Sequence, residues 1–398
     1  VRGAKAAAAF VADSRFSARG AKARSIEALI QWTWGHALFQ SAEYDAAREH
    51  LRKTATLALA AGMRFVETDA MRDLGRISYR RGEIQEARTI YELCAKTARE
   101  ADDRRGESLA LDLLSNSIFY NGEFGEGLKC AERALDLAEE TGDRRAQCII
   151  VNTLGEQARW TGDLKTALRH YEKAAELARD VGEKEFEGIA LANLALALHN
   201  LGKNRQAEAE ARRAIAVLKA IGVWNRVCAT TTVLGHVRLA LGDHAEASEA
   251  YSLAHSKARE LGEAAAAMES AAGLAAVELA KGRPRNALER IAPILDHVWA
   301  ADAEDKATGC PPRHHLEGAD EPFRVYHTCC QVLDACKDPR ALRILTRAWE
   351  VLSAQAKMLP AGRARRAFFN AIPSHRGIHE AWKEACKEKS KVTSRLGS

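Results

Sequence analysis

The chain has 398 residues, is 47% apolar and 28% charged, holds 8 prolines and carries a formal net charge of +5. That length is too great for one compact core unless the chain is a repeat array, and no run approaches the ~18 consecutive apolar residues of a transmembrane helix. Six basic residues face one acid over residues 1–24 and nine face three over 362–398, so the body between is acidic. This distribution excludes the continuous basic footprint of a nucleic-acid-binding solenoid.

The chain begins with Val1, which fits either a fragment of a longer protein or a GTG start read literally. Ala6–Ala12 is short and is followed by Arg15 and Arg19, unlike a signal peptide. Residues 3–17 have a helical pattern, which places the second helix of an incomplete repeat within 1–21. From 22 to 300 a forty-residue period takes over. Gly82, Gly122, Gly162, Gly202, Gly242 and Gly282 recur without drift, with Ala42 one period earlier. Ala47, Ala87, Gly127, Ala167, Ala207, Ala247 and Ala287 follow five residues later. A second small column, Gly35, Gly75, Ser115, Gly155, Ala195, Gly235 and Ala275, precedes the glycines by seven, each member behind Trp34 or a leucine.

Each column has a physical reason. The glycines end the first helix of a pair in the left-handed conformation, and Asp163 and Asp243 stand where they can cap the second helix. The small columns let the two helices approach, and the leucines are the core knobs between them. Gly62, Gly142, Gly182, Gly222 and Gly262 close the second helix, with Asp102 interrupting that column. Seven helix pairs are thus predicted, none able to bury its apolar face alone, which gives an all-α solenoid of antiparallel helix pairs. Beyond it the sequence predicts an exposed loop over 301–321, helices near 322–336, 339–358, 362–370 and 374–389, and a basic, disordered tail within 383–398.

The segment 153–178, TLGEQARWTGDLKTALRHYEKAAELA, resembles the tetratricopeptide repeat, with Leu154-Gly155, Gly162-Asp163, Ala167, Tyr171 and Ala174 at the family's positions. A forty-residue unit is similar to the repeats of bacterial signalling (STAND) ATPases and MalT-like transcription activators. The resemblance covers about residues 22–300 and implies a right-handed superhelix with a concave binding groove. The segment NAIPSHRGIHEAW (370–382), through Pro373, His375, Arg376 and Ile378, resembles the C-terminal end of large bacterial regulators. That likeness implies a sensor arm of a cytoplasmic regulator with an effector or ATPase part upstream. No Gly-x-x-x-x-Gly-Lys-Ser/Thr loop is present, so this chain is not itself the ATPase.

Gly-x-Ser-x-Gly, His-Glu-x-x-His and Cys-x-x-Cys motifs are also missing, so the sequence reads as non-catalytic. Nine dispersed cysteines read as free thiols. Cys310, His314, His315, His327, Cys329 and Cys330 cluster in the sequence but match no zinc spacing, and read as loop polar groups and small apolar thiols. No metal or cofactor is expected. Carrying over the family's groove positions nominates Trp32, His36 and Phe39 in the first repeat and Arg72, Arg76, Tyr79 and Arg80 in the second. Asp112, Asn116, Phe119 and Tyr120 follow in the third, and Asn152, Glu156, Arg159 and Trp160 in the fourth. The fifth and sixth offer Leu196, His199, Asn200, Thr232 and His236, and the seventh only Ala272, Ala276 and Leu279. Aromatics and arginines are the usual interface anchors, asparagines can clamp an extended backbone, and Arg72, Arg76 and Arg80 are spaced to meet an acidic partner. The expected partner is a protein, a peptide or a small ligand in the groove of repeats one to four, with no nucleic acid or membrane. The alternative is a standing scaffold for assembly or self-association.

Overall fold

A computed structural model of the protein describes residues 21–41, 43–308, 315–316 and 319–396. The helix expected over 3–17 and part of the expected loop lie outside the described residues. Among the described residues there are eighteen helices and no strand. The first seven pairs are α1 (Ala21–Gln40) with α2 (Tyr44–Ala60), α3 (Arg64–Arg80) with α4 (Ile84–Glu100), α5 (Arg104–Tyr120) with α6 (Phe124–Glu140), α7 (Arg144–Trp160) with α8 (Leu164–Asp180), α9 (Lys184–Asn200) with α10 (Asn204–Ala220), α11 (Trp224–Ala240) with α12 (His244–Leu261), and α13 (Ala264–Ala280) with α14 (Pro284–Thr308). Four more follow: α15 (Pro322–Ala335), α16 (Ala341–Met358), α17 (Arg363–Ala371) and α18 (Pro373–Leu396). The chain divides into two compact units, 1–154 and 155–398.

The turns follow the glycine register. At the end of α3 the left-handed Gly82 (φ +76°) redirects the chain, and the Glu83 N–H donates to the Ser78 carbonyl at 2.9 Å, satisfying a carbonyl of the last helical turn. Asp102 holds the same conformation (φ 55°) without being glycine, a position where a side chain is sterically costly.

The small columns mark the closest approach within each pair. A Cβ added to Gly75 would lie 2.3 Å from the Tyr91 ring. One added to Gly155 would lie 2.6 Å from Tyr171, and one added to Gly235 2.5 Å from Tyr251. Six of the seven pairs carry this complementarity sixteen residues apart, with tyrosine or leucine opposite glycine and alanine opposite Ser115 and Ala195; the seventh sets Ile291 opposite Ala275. Tyr91, Tyr171 and Tyr251 are among the most deeply buried large side chains of the protein. The pairs therefore hold one spacing while exchanging volume between partners, as native packing density requires.

In unit 1, α1 packs on α3 and α3 on α5, so the first helices form one layer. Its core gathers Leu51, Ile77, Tyr91, Leu111, Leu137 and Ile150. In unit 2, α9, α11 and α13 form the corresponding layer, and α15 packs on α13.

Three features depart from the sequence reading. The helix α14 runs through Asp302 to Thr308, because Asp302 is buried against Arg347 (2.9 Å) instead of opening a loop. The basic tail is helical to Leu396, the continuation of α18. Asp163 caps α8 by accepting from the Thr166 N–H at 3.2 Å, but Asp243 makes no such bond and pairs with Arg238 at 2.7 Å.

Candidate functional site

In unit 1 the first-helix layer presents a connected polar surface. On α1, Trp32 stacks on His36 with ring centroids 5.7 Å apart, and His36 Nδ1 lies 2.7 Å from Asp73 of α3. The hydrogen bond to Asp73 raises the His36 pKa above its usual value, against the opposing effect of burial. Asp73 is only 3% exposed and also takes Arg76 at 3.3 Å. It was not among the nominated residues, although its place three before Arg76 on a helix is a readable pairing signal.

That pairing changes the arginine row. Arg72 is tied to Asp69 at 2.7 Å and Arg76 to Asp73, both within α3. Of the three, Arg80 is exposed and makes no ion pair among the described residues. The expected acidic partner for the whole row is therefore replaced, at two of three positions, by the helix's own carboxylates. Phe119 is also corrected: it is 2% exposed, with its Cβ beside Gly127 and its ring 4.9 Å from Phe124, and belongs to the core of its pair. A Cβ at position 127 would lie 2.8 Å from the Phe119 Cβ and 3.0 Å from its backbone, so it is the close approach of the two helices that requires Gly127 where the column has alanine. Asp112 is buried, Tyr79 is half-buried against the core, and Tyr120 is 40% exposed. Asn152 is half-buried on α7.

Three nominated residues of unit 1 carry buried polar atoms without a hydrogen-bond partner among the described residues: the Trp32 indole N–H, the Arg72 Nε and the Asn116 Oδ1. They sit on α1, α3 and α5, the successive members of one layer. Buried polar groups in native proteins are overwhelmingly paired, and an unpaired one costs about 1–3 kcal/mol.

In unit 2 the first helices meet the chain's own C-terminal segment. Asn200 uses both ends of its amide there: its Nδ2 donates to Glu321 at 2.8 Å and its Oδ1 accepts from Arg324 at 3.2 Å. Burial alone would raise the Glu321 carboxyl, but Arg324 and Arg159 beside it hold it down to about 2. Arg159 and Trp160 share a cleft with Asp320, Glu321 and His375, and Trp160 lies 5.3 Å from Phe368. Gly162 is pressed so close to the Ala367 carbonyl that a Cβ would stand 2.7 Å from its oxygen. Glu156 accepts from Asn193 at 3.2 Å. The Pro-x-His-Arg-x-Ile motif is the pivot of this packing: His375 is buried, hydrogen-bonds the Phe368 carbonyl at 2.9 Å and meets Phe323 edge-on, while Ile378 is fully buried and Arg376 exposed.

Eight described cysteines are free thiols, and among the described residues no group of three or more His, Cys, Asp or Glu side chains is arranged to hold a metal. No described helix is long and apolar enough to cross a membrane.

A helix-pair repeat with an exposed row of first-helix side chains defines a class of binding scaffold. Two tetratricopeptide-repeat models match the chain, one over residues 145–220 and one over 68–101, and the chain carries a tetratricopeptide-repeat domain. No curated protein sequence matches it. Among solved structures it is similar to a Rap protein complexed with Competence and Sporulation Factor, at 13% identity and a TM-score of 0.54, over 93% of this chain and 99% of that one. The apo quorum sensor NprR from B. thuringiensis aligns at 14% identity and a TM-score of 0.54, over 81% and 87%. A signal transduction ATPase (STAND) protein with a tetratricopeptide-repeat sensor from Pyrococcus horikoshii aligns at 14% identity and a TM-score of 0.52, over 81% of this chain and 52% of that one. At these identities the likeness is one of fold.

Proposed function

We propose that the protein is a non-catalytic sensor domain that binds an extended protein or peptide segment on the first-helix layer of unit 1. The observation that carries this reading is the set of unanswered polar atoms on Trp32, Arg72 and Asn116. Two are donors and one is an acceptor, the combination a peptide backbone answers with its carbonyls and N–H groups. The stacked Trp32–His36 pair and the exposed Arg80 supply the aromatic and cationic anchors. Support also comes from the fold neighbours, a Rap protein holding Competence and Sporulation Factor, a quorum sensor, and a STAND protein whose repeats are a sensor. On this reading the domain reports binding to an effector part of a bacterial cytoplasmic signalling or transcriptional regulator.

The test is a combined Trp32→Phe, Arg72→Gln, Asn116→Leu variant, which removes all three unanswered groups with little change of shape. The variant is expected to retain its helical circular dichroism and to lose at least about tenfold in affinity for the partner recovered with the wild-type chain, about 1.4 kcal/mol. Equal affinity would remove unit 1 as the binding face.

A further inference from the structure

Unit 2 holds a half-open pocket of about 260 Å³ lined mainly by α11, α13, α15 and the start of α18, with His199 and Tyr251 reaching in from α9 and α12. One wall is apolar, formed by Leu239, Ala272 and Ala276. The other carries three polar groups whose bonding is incomplete. His236 is 5% exposed and its Nδ1 lies 2.7 Å from the Tyr251 hydroxyl. A hydroxyl donating there leaves the ring proton on Nε2, and that atom has no hydrogen-bond partner among the described residues. The nearest acceptor, Glu269 Oε1, is 3.8 Å away, beyond hydrogen-bond reach. Glu269 itself, 6% exposed, spends Oε2 on the Asp320 backbone N–H at 3.0 Å. Arg324 gives its Nε to Glu321 at 2.5 Å and its Nη2 to Glu321 and Asn200, while its Nη1 makes no hydrogen bond among the described residues.

A buried carboxyl engaged by the Asp320 and Glu321 backbone N–H groups, a half-used guanidinium and an orphan ring N–H thus line one pocket. A ligand of a single sign would answer one charged group and oppose the other. A small molecule carrying both signs on neighbouring atoms answers all three. The volume lies below the ~300–1,000 Å³ of drug-sized pockets, and the apolar wall suits a short aliphatic chain. We propose that this cavity binds a free aliphatic α-amino acid, its ammonium on Glu269, its carboxylate on Arg324 Nη1 and His236 Nε2, and its side chain against Leu239, Ala272 and Ala276. The site consists wholly of unit 2 residues and does not depend on the partner-binding face assigned to unit 1.

Proton linkage gives the assignment a signature. Burial, then the neighbouring Glu321 carboxylate, push the Glu269 carboxyl up to about 7, with the Asp320 N–H, Arg324 and the Glu321 N–H opposing. The charged or titratable groups facing it are His236, Tyr251, Asp320, Glu321 and Arg324. Burial keeps His236 neutral. An ammonium ion beside Glu269 stabilises the carboxylate, so binding near neutral pH releases a fraction of a proton.

The experiment is calorimetric titration of the full chain with L-valine, L-leucine and L-isoleucine at pH 7, in phosphate and in Tris, beside isobutylamine and isovalerate as single-charge analogues of valine. At least one amino acid is expected to bind, with the matching amine and acid at least tenfold weaker. Its apparent enthalpy should differ between the two buffers in the direction of proton release. Glu269→Gln, which keeps an oxygen for the Asp320 N–H, should weaken binding at least tenfold and abolish the buffer dependence. Absence of binding by all three amino acids at millimolar concentration overturns the proposal. So does an analogue that binds as tightly as valine, or a folded Glu269→Gln variant of unchanged affinity. Should that variant not fold, the analogue series and the buffer comparison decide on the wild-type chain.

Discussion

Units 1 and 2 are built from the same forty-residue helix pair, yet they differ in what answers the polar groups of their first helices. In unit 2 the chain supplies its own ligand: Glu321 and Arg324 close both ends of the Asn200 amide, and Phe368 covers Trp160. In unit 1 the helices pair among themselves through His36, Asp73 and Arg76, and leave Trp32, Arg72 and Asn116 each with an unanswered atom. On the proposed reading, one scaffold serves two ends, completed by a segment of the same chain in unit 2 and by another molecule in unit 1.

Acid separates the units most strongly. Burial drives His199 down to about 3, His327 and His375 to about 4, and His236 well below the 6.5 of a free histidine. Each has a folded pKa below its unfolded one, so its contribution is present above about 6.5 and is lost as the pH falls through the folded pKa. Each costs about 1.4 kcal/mol per pH unit in that window. Glu269, raised from 4.5 to about 7, acts the other way: its contribution is present below 4.5 and lost as pH rises through 7. Four groups outweigh one, so unit 2 should lose several kcal/mol between pH 6.5 and 4.5. In unit 1 His36 is raised, so the His36–Asp73 contact is present below 6.5 and lost as pH rises through the folded pKa, with His50, lowered by burial, opposing. Hydrogen exchange resolved by peptide at pH 7 and pH 5 should show protection collapsing in unit 2 while α1 and α3 hold. A uniform loss would erase the distinction.

The next effect is common to both units and checks that they share one architecture. Gly75→Ala in unit 1 and Gly235→Ala in unit 2 drive a methyl group into Tyr91 and Tyr251. Each should destabilise its own unit by ~1–3 kcal/mol, seen as a lower midpoint in urea. Tyr91→Leu added to Gly75→Ala should recover part of the loss, and no recovery would contradict the volume exchange between columns.

Two smaller effects concern single ends of helices. Asp163→Ala removes the cap of α8 in unit 2 and should cost ~1 kcal/mol. Asp102→Gly in unit 1 relieves a left-handed side chain and should raise thermal stability by the equivalent of ~0.5–1 kcal/mol. A neutral result at Asp102 would mean that its neighbours already compensate.

The helix pairs were legible because their constraints are local and periodic: Gly82 and its column fix turns, and Gly75 and its column fix contacts sixteen residues away. The four C-terminal helices follow no period and were legible only from local signals, among them Pro322 and Pro373 at the starts of two of them. The site was legible only in part. Trp32, Arg72 and Asn116, which carry the unanswered atoms behind the proposed site, were nominated because groove positions follow the repeat register. Phe119 was misplaced because register does not reveal which neighbour takes the ring, here Phe124 across the turn of the pair. Arg72 and Arg76 looked unpaired because Asp69 and Asp73, three residues before each, were not read with them. The docking of Glu321, Arg324 and Phe368 onto Asn200 and Trp160 had no signal in the sequence. It joins residues more than a hundred apart through contacts that no repeat period encodes.

Photo-crosslinking from the two layers is the most direct test of the central contrast. A benzophenone amino acid is placed at position 72 in one sample and at position 200 in another, each in the full chain in its host extract. Peptide mass spectrometry should find position 72 joined to a partner and position 200 joined to the chain's own residues 319–324. Capture of the partner from position 200, with none from position 72, would reverse the roles assigned to the two units.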